Sequence, residues 1–191
     1  MPEAEAALLR ELYAGAEVIL EYGSGGSTAL AAGMPGKSVF SVESDRDWAQ
    51  MMRGWLAGNP PAMGTEVDIV WSDIGETKDW GHPVDESEWR RWPRYPLEVW
   101  ELPEFRHPDV VLVDGRFREG CALAALFLAE RPLTLLFDDY ARRQHYTPGR
   151  GIPWPPRNDR ASRPVRDHPA AGAAQAAAAD HATDDAALNA A

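Results

Sequence analysis

Val18 to Thr28, with the sequence VILEYGSGGST, is the stretch that decides the fold. A short apolar run, Val18 to Leu20, ends at the acidic residue Glu21, and a glycine-rich turn follows. The glycines can adopt positive φ and carry no Cβ, so the backbone can turn tightly and come close to a ligand. The small residues after the turn can begin a helix whose first N–H groups point at that ligand, with Ser27 or Thr28 as the N-cap. This order of elements is typical of a nucleotide-binding crevice in a parallel α/β sheet.

The spacing of the glycines indicates which nucleotide the turn would hold. The dinucleotide-binding fingerprint has a third glycine three residues after the second, and Thr28 stands at that position. The pattern Glu21-x-Gly23-x-Gly25 instead resembles the first motif of the class I S-adenosylmethionine (AdoMet)-dependent methyltransferases. AdoMet carries a cationic sulfonium and no pyrophosphate, and a carboxylate at a strand end suits a cation better than a diphosphate. Glycine-rich turns that bind no ligand are also common, so this motif alone does not distinguish a cofactor site from an ordinary turn.

The composition limits the classes of partner. The chain of 191 residues is long enough for one domain with a substantial core. Its net charge of −11 comes from the first 146 residues, because residues 147–191 contain equal numbers of acidic and basic side chains. Such an acidic body argues against a nucleic-acid partner, which requires a basic surface.

Several features favour a cytoplasmic protein. No apolar run approaches the length needed to span a bilayer, so we expect no membrane partner. The N-terminus lacks the basic region and apolar core that mark a secretory signal. The single cysteine, Cys121, excludes an internal disulfide framework and a cysteine-cluster zinc site, and its apolar surroundings predict a small buried core residue.

Five short apolar runs alternate with helical patterns for most of the chain, and each run ends at or just before an acidic residue. This alternation predicts an α/β fold with a Rossmann-like, doubly wound, mostly parallel sheet. Ligands of such sheets bind at the carboxyl ends of the strands, so we expect the acids to form one rim. The predicted strands are 18–21, 38–42, 66–71, 110–113 and 133–137. The acids at their ends are Glu21, Glu43, Asp73, Asp114 and the pair Asp138 and Asp139.

Glu43 ends the second strand about twenty residues past Gly23, where doubly wound folds place an acid on the ribose hydroxyls. A carboxylate suits this position because it can accept from both hydroxyls at once. The alternative is that Glu43 or Asp45 begins the next helix, where an acid favours the N-terminal dipole. In that helix we predict a core stripe in preference to a cofactor contact. The stripe consists of Trp48, Met51, Met52 and Trp55.

Residues 75–107 form an insertion unlike the rest of the chain, rich in aromatic residues with arginines between them. Beside a cofactor crevice, such a segment is a candidate substrate lid or pocket wall. Two other interpretations are equally open: a satellite hydrophobic cluster over the sheet edge, and the interface of a homodimer, where tryptophan, tyrosine and arginine are enriched. The aromatic residues are Trp80, Trp89, Trp92, Tyr95 and Trp100, and the basic ones are His82, Arg90, Arg91 and Arg94.

Residues 147–191 differ from the preceding domain, residues 1–146, by a proline- and alanine-rich composition without a strand pattern. We expect a disordered tail, in which Ala170 to Ala179 could form a short helix that is marginal on its own. The sheet is then expected to be truncated after its fifth strand.

Five sequence blocks, taken in order, resemble a group of bacterial methyltransferase-like proteins with the class I AdoMet-dependent fold. The blocks are EYGSGGST, SVESDRDWA, SDIGETKDWGHP, VVLVDGRFR and LLFDDY, and the likeness extends from Met1 to Gln144. It implies the sheet order and an AdoMet pocket, and it names no substrate. The chain departs from the family pattern at Ser27, which stands at the third glycine of the first motif. It departs again in the tail, because these methyltransferases normally end with two further strands, one of them antiparallel.

The resemblance also implies roles at the cofactor pocket. Asp73 corresponds to the acid that accepts from the adenine amino group, and Ile74 to the apolar residue that packs on the ring; a loop aspartate without a ligand is the alternative. The glycine turn would approach the amino-acid end of AdoMet. The predicted cofactor-binding residues are Glu21, Tyr22, Gly23, Ser24, Gly25, Gly26, Ser27, Glu43, Ser44, Asp73, Ile74 and Asp114.

We therefore predict an AdoMet-dependent methyltransferase acting on a small-molecule acceptor, with Asp114, His82 and Arg116 as the candidate catalytic residues. Asp114, His82 or His145 could act as a base, and Arg116 and Arg118 could clamp an anionic substrate. The alternative is a non-catalytic AdoMet- or nucleotide-binding module or partner subunit. An NAD-dependent dehydrogenase is disfavoured, because the third glycine and a hydride-handling histidine or tyrosine–lysine pair are missing.

Asp114, Asp138 and Asp139 lie where oxygen-methylating relatives of this fold hold a divalent cation. Converging carboxylates would suit Mg²⁺, which would acidify a catechol-like hydroxyl. The alternative, which we favour, is that Asp114 caps the turn before Gly115 and Asp139 bonds to the backbone.

Overall fold

The strand that ends in the glycine turn lies at the centre of the sheet. The computed structural model describes residues 3–138 and 172–176. Within these residues, six strands form one sheet in the order β3-β2-β1-β6-β7-β8, and all but β8 run parallel. The strands of this sheet are β1 (Val18–Tyr22), β2 (Ser38–Glu43), β3 (Glu66–Trp71), β6 (Val110–Val113), β7 (Leu133–Phe137) and β8 (Gly172–Ala176). The predicted Rossmann-like, mostly parallel sheet is confirmed.

Helices cover both faces of this sheet, which is why its central strands are buried throughout. Every residue of β1, β2 and β6 is buried, as expected for parallel strands with both faces covered. The helices are α1 (Glu3–Gly15), α2 (Gly26–Ala32), α3 (Arg46–Gly58), α4 (Arg94–Leu97) and α5 (Arg118–Leu128). Each helix in the described part of the chain is too short or too polar to cross a lipid bilayer.

The two faces have separate hydrophobic clusters. On one face, Leu9 and Tyr13 of α1 pack with Ile19, Val39 and neighbouring core residues. On the other face, α5 and the aromatic insertion cover the opposite side chains of the same strands. Cys121 is fully buried in this second cluster, as the sequence predicts.

The aromatic insertion is part of the main core. It contains a two-stranded hairpin, β4 (Thr77–Lys78) and β5 (His82–Pro83), and then α4. Tyr95 is fully buried, with its ring 5.9 Å from that of Tyr22. The Tyr22 hydroxyl donates to the Pro96 carbonyl at 2.7 Å and accepts from the Trp100 indole at 2.8 Å. The insertion is therefore anchored to β1 by buried polar contacts as well as by apolar packing.

The strand β8 differs from the predicted end of the sheet. Gly172–Ala176 pairs antiparallel with β7, where the sequence predicts no strand and allows a short helix. Pairing at a sheet edge uses backbone groups that almost every residue has, so an alanine-rich segment can join without a strand-like side-chain pattern. The other tail residues, 139–171 and 177–191, lie outside the described residues, and the predicted disorder there stays a prediction.

We expect Tyr22→Phe to lower the free energy of unfolding by about 1–3 kcal/mol, because it leaves the Pro96 carbonyl and the Trp100 indole N–H without their partner. Urea denaturation measures this loss. The control is Trp89→Phe, which changes a half-exposed ring of the same insertion and is expected to stay within about 0.5 kcal/mol of the wild type. Equal losses in the two variants would contradict the anchoring role of the Tyr22 hydroxyl.

Candidate functional site

A cavity of about 1360 Å³, here called the main cavity, lies at the carboxyl ends of β1, β2 and β6. This is the edge at which open parallel sheets bind their ligands. Residues 23–27 of the glycine turn, Glu43 and Asp114 all line it, together with Ala6, Leu9 and Arg10 of α1. The structure thus brings together most of the predicted cofactor residues from the first, second and fourth strand ends.

The glycines of the turn have two different roles. Gly23 has a φ of 108°, and a Cβ there would lie 2.9 Å from the Cα of Gly115, so the loops after β1 and β6 touch backbone to backbone. At Gly25 and Gly26, by contrast, no described atom beyond the adjacent backbone lies within 4 Å of an added Cβ. Since both residues line the main cavity, they leave open the space that a close-fitting ligand needs.

Glu21 lies beneath the cavity and not on its wall. Its carboxylate is fully buried and accepts hydrogen bonds from the Tyr13 hydroxyl at 2.6 Å and the Thr28 hydroxyl at 2.5 Å. Burial raises the pKa of Glu21, while the hydrogen bonds from Thr28 and Tyr13 act in the opposite direction. Thr28 Oγ1 also accepts from the Gly25 backbone N–H at 3.0 Å. Glu21 therefore fixes the glycine turn from behind, and the structure does not bring it to the rim where we predicted it. Tyr22, also a predicted cofactor residue, is buried in the core.

Glu43 is held in place by backbone amides. Its carboxylate accepts from Ser24 N at 3.2 Å, Ser44 N at 2.7 Å and Asp45 N at 2.9 Å. Burial raises the pKa of Glu43, against the lowering effect of these hydrogen bonds. The alternative helix-capping role falls to Asp45, whose side chain accepts from Trp48 N at 2.9 Å. Glu43 is left on the wall of the main cavity with its orientation fixed.

Asp73 lines a neighbouring cavity of about 550 Å³, here called the side cavity. Ser44 and Ile74 also line it, and Asp45 belongs to the walls of both cavities. The Asp73 carboxylate forms an ion pair with Arg91 at 3.2 Å. The predicted row of acids is therefore divided between two cavities. Glu43 and Asp114 line the main cavity, and Asp73 lines the side cavity.

Arg118 ties together the loops that follow β6 and β7. It is only 6% exposed, and its guanidinium donates to the carbonyls of Asp114 at 2.9 Å, Gly115 at 3.1 Å and Asp138 at 2.6 Å. It also pairs with the carboxylates of Asp114 at 3.0 Å and Asp138 at 3.8 Å. The sequence suggested a substrate clamp for this residue, but these contacts give it a structural role.

The same arginine bears on the predicted metal site. The Arg118 guanidinium already lies between Asp114 and Asp138, two of the three proposed ligands. Asp139, the third, lies outside the described residues. Among residues 3–138 and 172–176, no cluster of three His, Cys, Asp or Glu side chains could hold a metal ion. The two described members of the proposed set are therefore already paired with Arg118, and a metal site that includes Asp139 stays a prediction.

Arg116 and His82 lie at a third cavity of about 630 Å³, here called the aromatic cavity. Its wall contains Trp89, Trp92 and Phe117, and the Trp92 and Phe117 rings lie 5.3 Å apart. The Arg116 guanidinium contacts the His82 ring nitrogens. Arg116 lines both the main and the aromatic cavity, so it marks their junction. His145, another candidate base, lies outside the described residues.

Three tryptophans line the main cavity: Trp48 and Trp55, which we predicted as core residues, and Trp80, which belongs to the insertion with a pocket wall as one of its three interpretations. Met52 is buried as predicted, but Trp48 and Trp55 are 46% and 40% exposed, and Met51 is exposed as well. Residues spaced three and four apart cover a broad strip of a helix surface, which can extend beyond its buried side. In α3 only the part of this strip around Met52 faces the sheet. Trp48 Nε1 donates to the Ser24 carbonyl at 2.9 Å, which places this ring beside the glycine turn.

The sheet order, the helices on both faces and the cavity at the carboxyl edge define the class I methyltransferase fold. No family model and no curated protein matches the sequence. A methyltransferase-like protein from Silicibacter pomeroyi DSS-3, of known crystal structure, is 69% identical, with a TM-score of 0.73 over 75% of this chain and 74% of that one. The chain belongs to the family of this methyltransferase-like protein. A proposed O-methyltransferase from Klebsiella pneumoniae shares the fold at 18% identity, with a TM-score of 0.50 over 74% of this chain and 58% of that one.

We expect Arg118→Met to lower the free energy of unfolding by about 3 kcal/mol, because three carbonyls and two carboxylates lose a nearly buried donor. Urea denaturation checks the value. The matched control is Arg106→Met, which breaks the exposed ion pair with Glu17 and is expected to cost less than about 1 kcal/mol. A loss below 1 kcal/mol in both variants would refute the structural role of Arg118.

Proposed function

We propose that the protein is an AdoMet-dependent methyltransferase that acts on a small-molecule acceptor in the cytoplasm. The observation that carries this proposal is the pairing of Glu43 with the open glycine turn. A carboxylate oriented by three backbone amides and the glycine-rich turn of residues 23–27 line one cavity at the sheet edge. Membership of a family with a methyltransferase-like protein supports the same activity.

The residues present fit AdoMet at this edge. Residues 23–27 would hold its amino-acid end, where Gly25 and Gly26 leave room for close approach. Glu43 would accept from the ribose hydroxyls, and Ser44, Asp73 and Ile74 of the side cavity would surround the adenine. Because Asp45 belongs to both walls, one extended ligand could occupy the two cavities together.

When bound, AdoMet would supply an electrophilic methyl group on its sulfonium, for transfer to a lone pair of the acceptor, with the electron pair of the broken carbon–sulfur bond left on sulfur. The chain contributes alignment and exclusion of water. Trp48 of α3 and Trp80 of the insertion both line the main cavity. His82 is our candidate for receiving the acceptor's proton, since imidazole is the commonest general base near neutral pH. Asp114 remains the second candidate.

We expect Glu43→Gln to weaken AdoMet binding about ten- to a hundredfold, the usual effect of losing a charged hydrogen-bond acceptor. Isothermal titration calorimetry measures the dissociation constant. The control is Asp68→Asn. Burial raises the pKa of Asp68 too, but this residue lies on β3 and lines none of the three cavities. This variant should leave the affinity unchanged. If the wild type binds no AdoMet at millimolar concentration, the proposal fails. Binding without turnover across a broad acceptor panel would favour the non-catalytic module.

The pH dependence of AdoMet binding tests the same carboxylate. Burial raises the pKa of Glu43 above its ordinary range, and a protonated carboxyl cannot accept from two hydroxyls. The affinity is therefore full above the raised pKa and is lost as the pH falls through it. We expect this loss in the wild type and in Asp68→Asn, and a flat profile in Glu43→Gln. A profile unchanged by Glu43→Gln would assign the effect to another group.

A further inference from the structure

The aromatic cavity differs in chemistry from the main cavity. The main cavity has four carboxylates on its wall, Glu43, Asp45, Asp79 and Asp114, and also three arginines, Arg10, Arg116 and Arg118. The aromatic cavity instead has large apolar rings with Arg116, His82 and Arg118 at its edge. The carboxylate on its wall is Glu119, which is exposed on α5. Basic groups therefore outnumber carboxylates on the wall of the aromatic cavity but not on that of the main cavity, so the aromatic cavity is the better suited of the two to an anionic ligand.

The apolar wall suits a flat ring. Trp92 and Phe117 lie with their rings 5.3 Å apart at 34°, and Trp89 is half exposed beside them. Pro93 and Pro96 complete this side. A volume of about 630 Å³ lies within the range of small-molecule sites, and aromatic walls favour offset stacking with a planar ligand.

The wall also contains a buried donor in need of an acceptor. The Trp92 indole N–H is buried and has no hydrogen-bond partner among the described residues. A buried polar group without a partner costs free energy, and an oxygen of a bound ligand would relieve that cost.

The junction with the main cavity lies at Gly115, Arg116 and Arg118, which line both. The backbone N–H of Arg116 bonds to the buried Tyr95 hydroxyl at 3.4 Å, so a core contact fixes the base of this side chain. A ligand held here by the Arg116 guanidinium lies beside the site proposed for the methyl donor.

We propose that the acceptor is a planar aromatic carboxylate, with its ring among Trp89, Trp92 and Phe117 and its carboxylate paired with Arg116. A separate hydroxyl or amino group on the ring is the nucleophile. This inference rests on the proposed function, for which it names the substrate class. The guanidinium and a carboxylate form a charge-assisted pair, and the aromatic wall selects a ring over an aliphatic acid.

Calorimetry on the full chain tests the inference with three kinds of probe. The 2-, 3- and 4-hydroxybenzoates combine ring and charge, the matching hydroxybenzamides keep the ring without the charge, and 4-hydroxycyclohexanecarboxylate keeps the charge without the flat ring. We expect at least one hydroxybenzoate to bind about tenfold or more tightly than its amide and than the cyclohexane acid. If every benzoate binds no more tightly than its amide, the inference is overturned.

Two variants locate the site. Arg116→Met should reduce binding of the best hydroxybenzoate to the level of its amide, whereas Arg90→Met should not change it. Arg90 lies over the Trp89 ring at 4.7 Å but is absent from the cavity wall, so it controls for the loss of a nearby positive charge. Equal effects of the two variants would contradict the pairing with Arg116.

AdoMet titration of the same samples separates the two proposals. If AdoMet binds and the benzoates show no preference over their amides, the methyltransferase proposal stands and the acceptor class is wrong. If the benzoates bind as expected and AdoMet does not, the anion site stands and the proposed function is wrong.

Discussion

The buried carboxylate of Glu21 is the contact on which the rest of the site depends. It joins α1, β1 and α2 through the Tyr13 and Thr28 hydroxyls, and Thr28 in turn holds the Gly25 amide. A carboxyl group without water is costly unless hydrogen bonds satisfy it, so these partners fix one arrangement of the turn. Because the acid is directed inward, the negative charge at the strand ends of the main cavity comes from Glu43 and Asp114 and not from Glu21.

From this point the rim is built by close backbone contact and one buried arginine. Gly23 brings the loop after β1 against Gly115 of the loop after β6. Arg118 then joins that loop to the end of β7 through the Asp138 carbonyl and carboxylate. A larger side chain at Gly23 would push the two loops apart. A neutral side chain at Arg118 would leave the Asp138 carbonyl and carboxylate without their donor. The positions of Asp114 and Arg116 follow from these links, since both lie in the segment that the links hold.

The sequence predicts the five parallel strands well, because strands with both faces covered are short runs rich in apolar residues. The single rim of acids was predicted only in part: Glu43 and Asp114 share the main cavity, whereas Glu21 lies beneath it and Asp73 lines the side cavity. The position of Glu43 on the wall of the main cavity was predictable from its distance to Gly23 along the chain. The inward direction of Glu21 was not, since it depends on Tyr13 of α1, a partner that no local pattern reveals. The exposure of Trp48 and Trp55 was missed because helical spacing cannot tell a core face from a cavity wall. The role of Arg118 was missed because its acceptors are mostly backbone carbonyls, which carry no sequence signal.

The insertion shows how this fold can separate stability from specificity. Tyr95 is buried between Tyr22 and Phe117, and its hydroxyl donates to the Val42 carbonyl at 3.3 Å, so the segment is fixed to the core at β2. Trp80 and Trp89 belong to the same segment but are 87% and 53% exposed on the cavity walls. Substitutions at exposed positions usually change stability by less than about 0.5 kcal/mol, whereas the loss of a buried aromatic side chain costs about 3–5 kcal/mol. The exposed tryptophans can therefore be substituted with little loss of stability, while Tyr95 is constrained by the fold.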